Sequence, residues 1–288
     1  MTLKVLGLIA SPRRLGNCEL MVKSIGRAAP APFDLSLLRL QDFHIRPCTG
    51  CYACLFGDER CIIDDDCQTV HDAVLAADAL IVAAPAYFLG ANGMLKRYLD
   101  RGISLLTHID RLWGRPAVGV GIAGIPGREG STPADLHRFL KLILADVKAV
   151  RTVYGALPGE VLQNEANQRV AADLASALLG GGDSDPGDGP RCPVCGGDAV
   201  QFLSAREVRC LTCGNSGPIS MTPDGPALGI TADGHQIFTT KADAIAHRAW
   251  LQGMKDRFRN QRADLKAIRS DFRHDGTWIR PARPTAPD

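Results

Sequence analysis

Ser11-Pro-Arg-Arg-Leu-Gly-Asn17 decides the fold of this chain. It follows a short apolar run, Leu3 to Ala10, and precedes a helix-like stretch from Cys18 to about Ala28. A strand feeding a polar turn that opens a helix is an anion site. The free N–H groups of the first helical turn and the positive end of the helix dipole point at whatever sits there. Ser11, Asn17 and the guanidinium of Arg13 or Arg14 add donors suited to a phosphate. The turn lacks the Gly-x-x-x-x-Gly-Lys-Ser/Thr of an ATP-type loop and the three glycines of a dinucleotide fingerprint. A hydroxyl-and-arginine turn fits one terminal phosphate, such as that of FMN; the alternative is an ordinary strand-to-helix loop with a basic tip.

On either side of this turn, short apolar runs alternate with amphipathic stretches up to about residue 182. The strands are expected at Lys4–Ala10, Asp34–Leu38, Ala79–Ala84, Ala117–Ala123 and Arg151–Gly155. The middle ones are nearly continuous Val, Ile, Leu and Ala, as for strands buried on both faces of a parallel sheet. Between them, Val70 and Val74 share a helix face, and Leu95, Leu99, Ile103 and Leu106 form a stripe. Leu136, Leu140, Ile143 and Val147 form another, with Thr132 as N-cap, Pro133 at N1 and Asp135 at N3. Five β–α units predict a doubly wound parallel sheet that binds ligands at the carboxyl ends of its strands.

Two loops at those ends can approach a flat ring. Ala84-Pro-Ala-Tyr-Phe-Leu-Gly90 offers backbone amides and an aromatic edge, and Gly121-Ile-Ala-Gly-Ile-Pro-Gly-Arg-Glu-Gly130 has four glycines. Both are equally compatible with surface loops. Gly119-Val-Gly-Ile-Ala-Gly124 spells a dinucleotide fingerprint but lies within an expected strand, with no helix opening on its last glycine, so it is set aside.

The chain has 288 residues, room for one large or two modest domains, and a net charge of +2, well short of a dedicated nucleic-acid binder. No apolar run reaches the roughly 18 residues of a membrane span, and Met1-Thr-Leu-Lys4 leads straight into a strand without a leader pattern. A cytoplasmic location is expected. Eight of the ten cysteines fall in two tight groups, which in a reducing compartment read as metal or redox sites.

The first group, Cys48-x₂-Cys51-x₂-Cys54-x₆-Cys61, gives four thiolates that converge after a turn at Gly57-Asp-Glu-Arg60. The pattern suits a [4Fe–4S] cube. A zinc ion, a redox dithiol, or a flavin protein with no cluster remain open. Cys67 and Cys18 read as packing residues, Asp64–Asp66 as helix caps, and the seven histidines are assigned no chemistry.

Ser11-Pro-Arg…Gly16-Asn17, Pro47-Cys-Thr-Gly-Cys-Tyr-Ala-Cys54, Cys61-Ile-Ile-Asp-Asp65, Ala84-Pro-Ala-Tyr-Phe88 and Leu95-Lys…Asp100-Arg101 stand in the order seen in one family. Residues 1–180 resemble the flavodoxin-like NAD(P)H-dependent FMN reductases, and specifically the iron–sulfur flavoproteins. The resemblance implies an α/β flavodoxin-like fold, a five-stranded parallel sheet of order 2-1-3-4-5, with FMN bound non-covalently. It implies a phosphate loop at Ser11, Arg13, Gly16 and Asn17, with Cys18 standing where the family has Thr or Ser, a weaker donor. It implies an isoalloxazine loop at Pro85, Ala86, Tyr87 and Phe88, with the glycine loop from Gly124 to Gly130 on the other side of the ring. It also implies a [4Fe–4S] cluster on the 48–61 run, a homodimer or larger assembly, and NAD(P)H or a ferredoxin-like protein as redox partner.

Residues 183–190 form a Gly/Asp/Pro linker by composition. Cys192-Pro-Val-Cys195-Gly…Cys210-Leu-Thr-Cys213-Gly has the two-pair spacing of a zinc ribbon, expected over 191–231; iron in a rubredoxin-like knuckle is the lesser option. Short β structure with turns at Pro223-Asp-Gly225 and Asp233-Gly234 is expected beyond it. A helix from Lys241 to about Phe272 carries Trp250, Met254, Phe258, Leu265, Ile268 and Phe272 on one stripe, which calls for a packing partner. The 232–288 segment is basic from Lys241 onward, with 11 Lys and Arg against 6 Asp and Glu, and its last ten residues are expected to fray. The rival functions are a cluster-free NAD(P)H-dependent flavin or quinone reductase, and a binding protein using the ribbon on nucleic acid or a protein.

Overall fold

The computed structural model describes residues 2–57, 59–181, 189–223 and 225–279. The expected linker at 183–190 lies almost wholly outside them, as do Asp58 of the 57–60 turn, Asp224 of the 223–225 turn and most of the last ten residues. Two compact units result, Met1–Arg248 and Ala249–Asp288.

The first unit opens with β1 (Lys4–Ile9), α1 (Asn17–Arg27), β2 (Asp34–Arg39), α2 (Cys67–Ala76), β3 (Ala79–Tyr87), a two-residue β4 (Gly90–Ala91) and α3 (Gly93–Arg101). It continues with α4 (Ile109–Leu112), β5 (Pro116–Ala123), α5 (Thr132–Leu142), β6 (Asp146–Tyr154) and α6 (Glu165–Leu178). The main sheet runs β2-β1-β3-β5-β6, all parallel, with β4 folding back on β3. This is the expected flavodoxin-like order. Side chains alternate across β1: Val5 and Ile9 join Met21, Val22 and Ile25 of α1 and Leu174 of α6 in one buried cluster. Tyr98 and Phe139, fully buried, meet across α3 and α5 with ring centroids 6.1 Å apart.

Three local readings are corrected. The third helical stripe does not reach Val147. Helix α5 stops at Leu142, Leu144 turns left-handed (φ 66°) with its side chain buried, and Val147 belongs to β6, five residues longer at its start than expected. Ser131, not Thr132, holds the N-cap position of α5. The buried face of α3 is Leu95, Tyr98 and Arg101, one position round from the Leu95/Leu99/Ile103 stripe, because the chain passes into a tighter 3₁₀ turn at Gly102–His108.

Four antiparallel strands, β7 (Val200–Phe202), β8 (Glu207–Cys210), β9 (Ser216–Thr222) and β10 (Gly225–Leu228), form the ribbon sheet in the order β10-β9-β8-β7. The expected single helix is two, α7 (Lys241–Asn260) and α8 (Arg262–Asp271), parted at Gln261 with no glycine or proline to mark the break. Trp250, Phe258, Ile268 and Phe272 of its stripe are exposed in the single chain. No helix among the described residues is long and apolar enough to cross a membrane.

Candidate functional site

The loops after β1, β3, β5 and β6 surround a pocket of about 220 Å³ at the carboxyl edge of the sheet. Ser11, Arg13, Asn17, Cys18, Pro85, Ala86, Tyr87 and Gly124 line it, with Ile122, Gly155 and Ala156. Eight of the ten positions singled out in the sequence therefore meet at one place. Gly16 stands at the N-cap of α1, which has no side-chain cap, so the first turn keeps donors for an anion. Phe88 is fully exposed and not part of the lining.

The polar groups divide their work. The Asn17 side chain is committed within the protein: Nδ2 donates to the Gly155 carbonyl at 2.9 Å, and Oδ1 accepts the Gly159 N–H at 2.8 Å. It fixes the β6 exit loop beside the pocket more than it serves as a free donor. Burial pushes the Cys18 thiol up to about 12, so it stays neutral, against the Ser11 hydroxyl. Ser11 and Arg13 remain as the side-chain donors of the cradle, a set that fits a phosphate.

Tyr87 sits at the start of a two-residue turn between β3 and β4, in which Phe88 (φ 49°) and Leu89 (φ 64°) are both left-handed. Such turns favour Asn-Gly, and each bulky residue there costs on the order of 1–2 kcal/mol. The start of α5 holds the turn in place. The Ser131 N–H donates to the Leu89 carbonyl at 2.8 Å, and the Ala91 N–H donates to Asp135 Oδ2 at 3.0 Å. Gly130 (φ +56°) passes so close that a Cβ there would stand 2.0 Å from the Leu89 oxygen. Tyr154, at the end of β6, donates its hydroxyl to Glu129 Oε2 at 3.2 Å and ties the glycine loop from the other side.

The 48–61 loop follows β2 on the same edge of the sheet. Cys48 and Cys51 are exposed, Cys54 and Cys61 half-buried. Burial, and then the neighbouring Cys61, Cys51 and Cys48 sulfurs, push the Cys54 thiol up to about 11. The other three sulfurs thus lie within electrostatic reach of Cys54, and the four are not drawn together as ligands of a single ion. Both ends of the loop are anchored on Arg101. Nη1 donates to the Arg46 carbonyl at 2.8 Å and pairs with Asp65 Oδ2 at 2.5 Å, while Asp65 accepts the N–H groups of Arg46 and Cys67. Burial raises the Asp65 pKa, but these bonds outweigh it and hold the carboxyl below its ordinary value. Arg101 lies within electrostatic reach of Cys51, Cys61 and Cys67, and its Nε is buried without a partner. A buried cation with a spare donor suits a loop that carries an anionic thiolate-bound cluster.

In the ribbon, Cys192, Cys195, Cys210 and Cys213 place their sulfurs within 4.8 Å of one another, the one such grouping among the described residues. Cys192 and Cys213 are 3.8 Å apart, and Cys195 and Cys210 3.5 Å. A tetrahedron of ~2.3 Å zinc–sulfur bonds has edges of about 3.8 Å, so the donor set fits zinc. Gly196 and Gly214, both left-handed, follow the two pairs.

The family described as NADPH-dependent FMN reductase matches residues 3–160. The chain belongs to this family. It is a flavin-dependent oxidoreductase whose family cofactor is FMN, and family membership implies NAD(P)H or a redox partner. An iron–sulfur flavoprotein of Methanocaldococcus jannaschii is 30% identical over 188 residues, covering 61% of this chain and 95% of that protein. One from Archaeoglobus fulgidus is 32% identical over 186 residues, covering 61% and 92%. A solved flavone reductase superposes with a TM-score of 0.71 over 97% of this chain and 100% of its own, at 18% identity. That likeness is one of fold.

Sequence reasoning missed Gly155 and Ala156 of the lining and the Arg101–Asp65 anchor. Gly155-Ala-Leu-Pro-Gly159 reads as any turn, and its place beside Asn17 emerges only once β6 lies next to β5.

Proposed function

We propose that this FMN reductase family member is of the iron–sulfur flavoprotein type, moving electrons between a reductant, FMN and a [4Fe–4S] cluster. Ser11, Arg13 and the start of α1 would bind the FMN phosphate. Pro85, Ala86 and Tyr87 on one side and the loop from Gly124 on the other would orient the ring. Cys48, Cys51, Cys54 and Cys61 would hold the cluster, and Cys192, Cys195, Cys210 and Cys213 a structural zinc. Bound flavin supplies exchange between hydride and single-electron chemistry, and a cube carries single electrons. The chain's own part is placement: Asn17 fixes the β6 loop, Ser131 and Asp135 fix the Tyr87 turn, and Arg101 fixes the cysteine loop. NAD(P)H or a ferredoxin-like protein is the reductant, and the working form a homo-oligomer.

The observation that carries this reading is positional. The lined pocket and the cysteine loop leave the same carboxyl edge of one sheet, so one edge of the fold would carry both redox groups. Anaerobic purification followed by assay of FMN, iron and acid-labile sulfide tests it. The expected result is one flavin per chain with iron and sulfide in equal amounts beyond the ribbon metal. Flavin with no sulfide would favour the cluster-free flavin or quinone reductase, for which the exposure of Cys48 and Cys51 speaks.

A further inference from the structure

We propose that Arg138 is a positioning residue that ties the turn beside the flavin, through Asp135, to the second cysteine knuckle of the ribbon, so that the ribbon's metal helps set the affinity for FMN. This gives the ribbon a role in the flavin site, and it rests on assigning the 85–88 turn to the flavin.

The connection is continuous in hydrogen bonds. Arg138 Nε donates to the carbonyl of Leu211 at 2.8 Å, and Leu211 lies between Cys210 and Cys213. Arg138 Nη1 donates to Asp135 Oδ1 at 3.2 Å. The other oxygen of the same carboxylate accepts the Ala91 N–H at 3.0 Å and the Ser131 hydroxyl at 2.8 Å. Ser131 in turn donates its N–H to Leu89. A rigid guanidinium fork can serve both acceptors at once.

Each end keeps its form through constraints held outside it. At the ribbon end, the direction of the Leu211 carbonyl is set by the knuckle: its own N–H donates to Ala199 at 2.9 Å, and the Thr212 N–H reaches Cys210 Sγ at 3.4 Å. Shared metal ligation fixes that geometry, and loss of metal releases it. At the flavin end, Phe88 and Leu89 occupy left-handed backbone that neither residue favours, so the turn keeps its form only while its anchors hold. Asp135 is one of those anchors, and Arg138 orients its carboxylate.

The test is a titration of the full-length, flavin-free chain with FMN, read by quenching of flavin fluorescence, with ribbon metal content and melting temperature measured alongside. Arg138→Ala should raise the FMN Kd about fivefold, the low end of ordinary site-to-site coupling because the bridge is partly exposed. Its metal content and melting temperature should stay unchanged. The Cys192→Ser, Cys195→Ser double variant should raise Kd by a similar factor, and adding Arg138→Ala to it should raise it no further. Unchanged affinity in Arg138→Ala, or effects that multiply, would overturn the proposal. Should the ribbon variant fail to fold, removing the ribbon metal from folded wild type and Arg138→Ala protein with a chelator takes its place in the same cycle, with the same expectation. Wild type binding no FMN would sink the flavin assignment together with the proposal. Wild type and Arg138→Ala binding FMN equally would remove only the proposal.

Discussion

Arg101 and Asp65 form an ion pair with both side chains only 1% exposed and a 2.5 Å contact. The pair closes the base of the 48–61 loop, because Arg101 also holds the Arg46 carbonyl and Asp65 the N–H of Cys67. Removing one partner leaves a buried charge uncompensated, which costs about 3–5 kcal/mol. Arg101→Ala should lower unfolding stability by that order in denaturant titration and empty the cysteine loop of iron and sulfide. Arg101→Lys cannot reproduce the two-pronged contact and should recover only part of the loss.

The pH dependence of stability follows from two groups with depressed values. Burial pushes His71 down to about 4, and its Nδ1 lies 3.1 Å from Ser104 Oγ. The unfolded histidine takes up a proton near 6.5, so stability should fall as pH drops from about 6.5 to 4. Asp65 is held below its ordinary carboxylate value, so its contribution is full above about 3.9 and is lost only as pH falls beneath that. Denaturant midpoints across pH should show the first loss flattened in His71→Gln and the second absent in Asp65→Asn.

How much of this was legible beforehand differs by element. Strands β1, β3 and β5 stood out because burial on both faces leaves an uninterrupted apolar run. The start of β6 was hidden, since Asp146-Val-Lys-Ala-Val150 also continues the spacing of α5, and the residue that stops that helix is a leucine in a conformation glycine normally takes. The ribbon was legible from spacing alone. The role of Arg101 was not, because a charged residue on a helix reads as its solvent side until a buried carboxylate is brought to it. Arg138 and Leu211 are 73 residues apart, and nothing local joins them.

Gly130→Ala should disturb the Tyr87 turn directly, since the added carbon would stand 2.0 Å from the Leu89 carbonyl oxygen in a left-handed position. We expect FMN affinity to fall by about tenfold or more, equivalent to ~1.4 kcal/mol, in equilibrium titration. Gly127→Ala, where the added carbon would meet nothing within 4 Å beyond its chain neighbours, adds backbone strain alone and should have the smaller effect on affinity.

Asn17→Asp keeps the size of the side chain but loses the donor to the Gly155 carbonyl and adds a negative charge beside the phosphate cradle. Stability should drop by about 1–3 kcal/mol, the range for an unmet buried polar group. FMN binding should weaken more than in Asn17→Ala, a comparison that separates charge from lost structure.

The most direct measurement is the flavin stoichiometry of the purified chain after incubation with FMN, compared with the Ser11→Ala, Arg13→Ala double variant. One FMN per wild-type chain, with binding weakened at least tenfold in the variant, is the predicted result. A wild-type protein that stays colourless, or a variant that binds as tightly as wild type, would contradict the placement of the phosphate between β1 and α1.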